Sequence, residues 1–102
     1  MRQQDLARIG MIKEAKYEEQ GGVCAGCKKD MDKDEFLHLA HILPQRKWLI
    51  NKYGEEIIHH PMNMKLTHAN DLCNQRVQMS PNKTGIVEKH VKEIASTFIF
   101  SH

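Results

Sequence analysis

Several things are scarce in this sequence. It has three prolines, six aromatic residues (one Trp, two Tyr, three Phe) and three cysteines in 102 residues. No apolar run approaches the roughly 20 residues of a membrane span, which excludes an integral membrane helix. The opening Met1-Arg2-Gln3-Gln4-Asp5 is polar and does not read as a secretion leader, so a cytoplasmic location is expected. Charge of one sign is also lacking: 15 Lys+Arg against 13 Asp+Glu leave +2. That balance excludes a highly charged tail or a fully basic wrapper, but neither a nucleic-acid nor a protein partner. There is no internal repeat and no low-complexity tract. The odd cysteine count fits poorly with a disulfide framework.

What is present is one domain's worth of chain, read as a single domain over 1–102, and an unusual number of histidines, seven in all. Residues 3–20 read as a helix: Leu6, Ile9, Ile12 and Ala15 recur at threes, Met11 and Tyr17 widen the stripe, and Gln20-Gly21-Gly22 stops it. Residues 36–42 (Phe36 to Ile42) read as a short strand ended by Pro44, and residues 45–53 as a short helix stopped by Gly54. Glu55 to His60 is a turn or a short helical piece, and Pro61 drives His60 to an extended conformation. Residues 62–66 read as a second strand, and residues 71–77 as a helix with Asp71 as N-cap. In the last helix, about 86–98, Val87, Val91, Ile94, Ala95 and Phe98 form the cleanest apolar stripe in the chain. His90 and His102 read as solvated surface residues, and Trp48 as core rather than a base-stacking platform.

Cys24-Ala25-Gly26-Cys27 is a C-x2-C turn, which presents two thiolates to one tetrahedral ion and leaves two positions to fill. Cys73 is the third candidate and His68 the fourth, in an H-x4-C spacing. Asn70 is a poor zinc ligand, and Arg76 cannot ligate at all. Three buried, unliganded cysteines are the alternative. With residues 28–72 between the half-sites, such a metal clamps two segments around an inserted element and is expected to be needed for folding.

Within that frame lie His41-Ile42-x-Pro44, then Asn63-Met64-x-Leu66, then Cys73-Asn74. Order and spacing resemble the HNH endonucleases, the ββα-metal nucleases that often carry a split zinc ribbon. The likeness covers about residues 22–78. It implies an α+β fold, a small zinc-stapled ββα-metal core with flanking helices at about 3–20 and 86–98. It implies a metal-dependent DNA endonuclease hydrolysing phosphodiester bonds. In that resemblance His41 is the general base, Asn63 holds the loop and keeps His41 in register, and Asn74 binds a catalytic Mg²⁺ or Mn²⁺ in an H-N-N variant, beside the structural Zn²⁺. Many members carry Asp or His immediately before the base, where this chain has Ala40. The candidates to make up that ligand are His38, if the strand bulges, and His59 or His60 from the loop, with Gln75 weaker.

Arg46, Lys47, Lys52, Lys65, Arg76 and Lys83 are the expected phosphate contacts on DNA. A small net charge implies that affinity is completed by a partner, a homodimer or a larger assembly. The competing reading is a non-catalytic zinc-ribbon module that binds nucleic acid or protein, which Ala40 favours.

Overall fold

The structure is a computed structural model that describes residues 3–99. His102 lies outside them. The elements run α1 (Gln3–Glu19), β1 (Leu37–His41), α2 (Lys47–Tyr53), α3 (Glu55–Ile58), a single 3₁₀ turn (Pro61–Asn63), β2 (Met64–His68), α4 (Asp71–Val77) and α5 (Thr84–Ile99). Helices with one two-stranded antiparallel sheet make the fold α+β. No helix among the described residues is long and apolar enough to cross a membrane. The chain divides into two compact units. One comprises the residues up to 40 together with 65–77; the other comprises 41–64 and the residues from 78 on.

The first unit holds α1, the C-x2-C turn, most of both strands and α4. α1 stops at Gly21 and Gly22, whose φ values of 64° and 71° need glycine at little cost. Tyr17 packs on the core and donates its hydroxyl to the Met31 carbonyl at 3.1 Å. The Gln20 amide takes the place of a neighbouring strand along β2. Its Oε1 accepts from Leu66 N at 2.8 Å, and its Nε2 donates to Leu66 O at 2.9 Å. The helix is thus anchored at its C-terminal end, which corrects the expected apolar stripe: Leu6, Met11 and Ala15 are exposed, whereas Lys16 is buried. The core is Cys24, Met31, Leu37, Leu66 and Cys73, with Tyr17, Cys27 and Leu39 against it. Two of its five buried members are thiols, so this core forms around the candidate metal ligands.

The second unit buries Leu43, Leu49, Ile58 and Val87, with Ile50, Tyr53, Met79 and Val91 packed on them. In α5 the buried positions are Val87 and Ile94, on the stripe read from sequence. α2 buries Leu49 and leaves Trp48 47% exposed, so Trp48 is not a core residue. Gly54, at φ 92°, turns the chain from α2 into α3.

The second strand begins two residues later than expected. Pro61 opens a 3₁₀ turn whose cap is His60: its Nδ1 accepts the Met62 N–H at 3.1 Å. Proline at the first helical position and a capping side chain before it favour a turn over a strand there. The shift brings Thr67 and His68 into β2.

Candidate functional site

The first unit gathers Cys24, Cys27, His68 and Cys73, with all ligand atoms within 4.8 Å of one another. Backbone bonds build the turn that carries the first two. Cys24 N donates to Lys29 O at 2.9 Å, Lys28 N donates to Cys24 O at 3.0 Å, and Lys28 takes a left-handed φ of 66°. Ala25 N donates to Leu66 O at 3.1 Å, which ties the turn to β2 two residues from His68. Cys73 sits in the first turn of α4. There the cap is Asn70 rather than the expected Asp71: Asn70 Oδ1 accepts the Cys73 N–H at 2.9 Å, as an N-cap side chain does.

Gly26 fits between the two half-sites only because it has no side chain. A Cβ there would lie 2.3 Å from Cys73 O and 2.7 Å from Cys73 Cα. Neither atom can move without displacing a ligand. Gly26→Ala is therefore expected to weaken zinc binding by at least tenfold and to cost several kcal/mol, on the order of 1–3 for overpacking alone. Competition with a chromophoric chelator reads the affinity. Wild-type affinity in the variant would contradict this close approach.

Electrostatics favour a cation at this position. Burial pushes the Cys24 thiol up, but N–H groups of Cys27, His68 and Gly26 aimed at the sulfur outweigh it and bring its pKa down to about 6. Two of these donors, Gly26 N and His68 N, lie 3.4 Å from Sγ. Burial raises Cys73. His68 is raised by its hydrogen bonding to Cys24, partly opposed by burial, with Cys27 adding to the rise. His68 Nδ1 faces the thiols, 3.3 Å from Cys27 Sγ and 4.0 Å from Cys73 Sγ. Its Nε2 lies 3.9 Å from Glu35 Oε1. That is how an imidazole ligand is usually held, one nitrogen inward and the other toward a carboxylate.

Three sulfurs and one nitrogen are a zinc donor set. A tetrahedral ion with Zn–S near 2.3 Å needs ligands about 3.8 Å apart, so the set closes on zinc with a small contraction. Protons compete for the same atoms. With Cys24 down at about 6, its thiolate is present above that pH, and metal affinity falls as pH drops through it.

The second unit holds His41 and Asn63. Asn63 is fully buried, and its side chain makes four hydrogen bonds. Oδ1 accepts from Leu43 N at 2.9 Å and from His90 Nε2 at 3.0 Å; Nδ2 donates to Leu43 O at 3.2 Å and to Ile58 O at 2.8 Å. Its backbone carbonyl takes the Ile42 N–H at 2.8 Å. The two residues after His41 are therefore fixed by Asn63. His41 itself is half-buried: Nε2 lies 3.4 Å from His59 Nδ1, and Nδ1 lies 3.2 Å from Gln45 Nε2.

Sequence reading missed His90, which is not a solvated surface residue but half-buried on Asn63. The signal was its position between Val87 and Ile94, on the buried side of α5. Neighbouring His60 turns elsewhere, with Nε2 3.4 Å from Thr97 Oγ1 and its ring edge-on to Phe98.

Asn74 belongs to the first unit, on α4, half-buried. Its Oδ1 is 3.0 Å from Thr67 Oγ1, which also lies 3.4 Å from the His38 carbonyl. One hydroxyl proton serves one acceptor, and the shorter contact takes it. The His38 side chain is exposed, and Ala40 is buried and offers no donor. Of the basic residues, Arg46, Lys47, Lys52, Arg76 and Lys83 are exposed and Lys65 is half-buried.

No family model, curated protein or solved structure matches the chain.

Proposed function

We propose that the chain is a metal-dependent DNA endonuclease of the HNH type, with a structural zinc on Cys24, Cys27, His68 and Cys73. The observation that carries this reading is the Asn63 clamp. A fully buried amide spends all its hydrogen bonds on the backbone next to His41, on α3 and on His90. A binding module has no need of a half-buried histidine held from behind in this way.

In this reading His41 takes the proton of the attacking water, whose oxygen adds to phosphorus as the bond to the leaving oxygen breaks. Asn63 keeps the His41 loop from relaxing during that transfer. Asn74 offers an amide oxygen, a hard ligand suited to Mg²⁺ or Mn²⁺. The divalent cation would neutralise charge on the phosphate and on the leaving oxygen. Exposed Arg46, Lys47, Lys52, Arg76 and Lys83, with Lys65, are the phosphate contacts, and six such contacts give a log–log salt slope of about −5.

Supercoiled plasmid tests the reading. Zinc-loaded wild type is expected to nick or linearise it with Mg²⁺ or Mn²⁺ and not with EDTA. His41→Ala is expected to lose roughly 10²-fold or more of that rate. Buried Ala40, which has no donor where a ligand is expected, favours the second reading, a non-catalytic zinc-ribbon module. That module predicts no cleavage by the folded, zinc-loaded protein and indifference to His41→Ala.

A further inference from the structure

We infer that His59 is a positioning residue for His41: it accepts the His41 Nε2 proton and thereby leaves His41 Nδ1 as the basic nitrogen. The catalytic meaning of this pair rests on the nuclease reading above; the pair itself does not.

A neutral imidazole carries one N–H and one lone pair, and its neighbours decide which nitrogen holds which. His41 Nδ1 faces Gln45 Nε2 at 3.2 Å. An amide nitrogen only donates, so Nδ1 is the acceptor and the His41 proton sits on Nε2. His41 Nε2 faces His59 Nδ1 at 3.4 Å, so His59 Nδ1 accepts that proton's bond and His59 carries its own proton on Nε2. The two rings stand at 88° with centroids 5.5 Å apart, which separates their faces and brings the two nitrogens edge to edge. Both histidines are half-buried, whereas Gln45 is exposed, a side chain whose N–H a water molecule can displace from Nδ1.

The chemical consequence follows the arrangement by which a third group orients a catalytic base. Water gives its proton to Nδ1 of His41 and its oxygen goes to phosphorus. His41 becomes an imidazolium whose Nε2–H still points at the His59 lone pair. His59 stays neutral throughout, and the proton on Nδ1 later passes to the leaving oxygen or to solvent. A neutral acceptor steadies the imidazolium without adding a fixed negative charge beside an incoming phosphate. Of two adjacent histidines at the end of α3, it is His59 whose Nδ1 faces His41 Nε2, while His60 Nδ1 caps the 3₁₀ turn.

Two measurements test it on the zinc-loaded full chain. Long-range ¹H–¹⁵N correlation spectra, at a pH where the histidines are neutral, read the tautomer of His41. Wild type is expected to be Nε2–H; His59→Ala moves His41 toward the mixed tautomers of free imidazole. His59→Asn restores Nε2–H, because Asn Oδ1 can accept where His Nδ1 stood. Single-turnover cleavage is expected to fall roughly 10- to 100-fold in His59→Ala with DNA affinity unchanged, and to recover most of that in His59→Asn. A His41 that is Nδ1–H in wild type, or a tautomer ratio unmoved by His59→Ala, overturns the inference whatever the cleavage rates. Cleavage unaffected by His59→Ala in an active enzyme overturns its catalytic role. A wild type that cuts nothing while the tautomer shifts as described rejects the nuclease reading and upholds the pair.

Discussion

Stripping zinc from the protein is expected to unfold the first unit. Its core is five buried residues, and two of them, Cys24 and Cys73, are ligands. Without an ion, buried thiols at close quarters replace a bonded centre, and nothing else in that core joins the C-x2-C turn to α4 as tightly. Structural zinc sites contribute roughly 10–16 kcal/mol of apparent binding free energy in small peptides. A whole domain is stable by only about 5–15 kcal/mol, so the loss is comparable to the entire stability. The far-UV circular dichroism of helix should fall on complete chelation by the share that α1 and α4 contribute, and return with one equivalent of zinc. Hydrogen exchange should locate the loss at the amides of Cys24, Ala25, Lys28 and Cys73, which are bonded in the clamp. Cys73→Ala should mimic chelation. A full helical signal from zinc-free protein would reject this account of the first unit.

Asn63→Ala is expected to be the most damaging single change in the second unit. It strands Leu43 N–H, Leu43 C=O, Ile58 C=O and His90 Nε2–H in a place with no solvent exposure at the amide. Each buried group left without a partner costs about 1–3 kcal/mol, and some will find a water, so the total should be about 3–5 kcal/mol. Asn63→Asp does not rescue it. The carboxylate keeps the acceptor for Leu43 N but meets the Leu43 and Ile58 carbonyls with a buried negative charge. Urea unfolding of the zinc-loaded protein measures both variants. A loss below about 1 kcal/mol for Asn63→Ala would mean that the clamp is not what fixes the residues after His41.

The candidate metal ligands were legible because zinc chemistry admits few donors: three cysteines and the histidine nearest the third leave little choice. α5 was legible for a similar reason, since Val87, Val91 and Ile94 keep helical spacing over a long segment. Where several groups compete, the reading was poorer. Pro61 and a capping His60 turned expected strand into a 3₁₀ turn and moved β2 by two residues. Asn70 took the cap from Asp71 because its side chain reaches the Cys73 N–H. The helical period in α1 was correct, but only part of its expected face is covered: Tyr17 packs on the core and Ile9 and Ile12 are half-buried, whereas Leu6, Met11 and Ala15 are exposed. Its anchors are Tyr17 and Gln20, and one of them is a polar residue bonding a strand edge. His59 and His60 are indistinguishable in sequence; only the end of α3 sends one to His41 and the other to Thr97.

In the proposed function, His41 is the base of a DNA-cleaving site. The most direct test of that role is single-turnover cleavage of an end-labelled duplex by zinc-loaded protein in Mg²⁺ or Mn²⁺, wild type beside His41→Ala, with folding of both checked by circular dichroism. Cation-dependent cutting that the variant loses is the predicted result. A folded wild type that leaves the duplex intact, or a His41→Ala that cuts at the same rate, would contradict it.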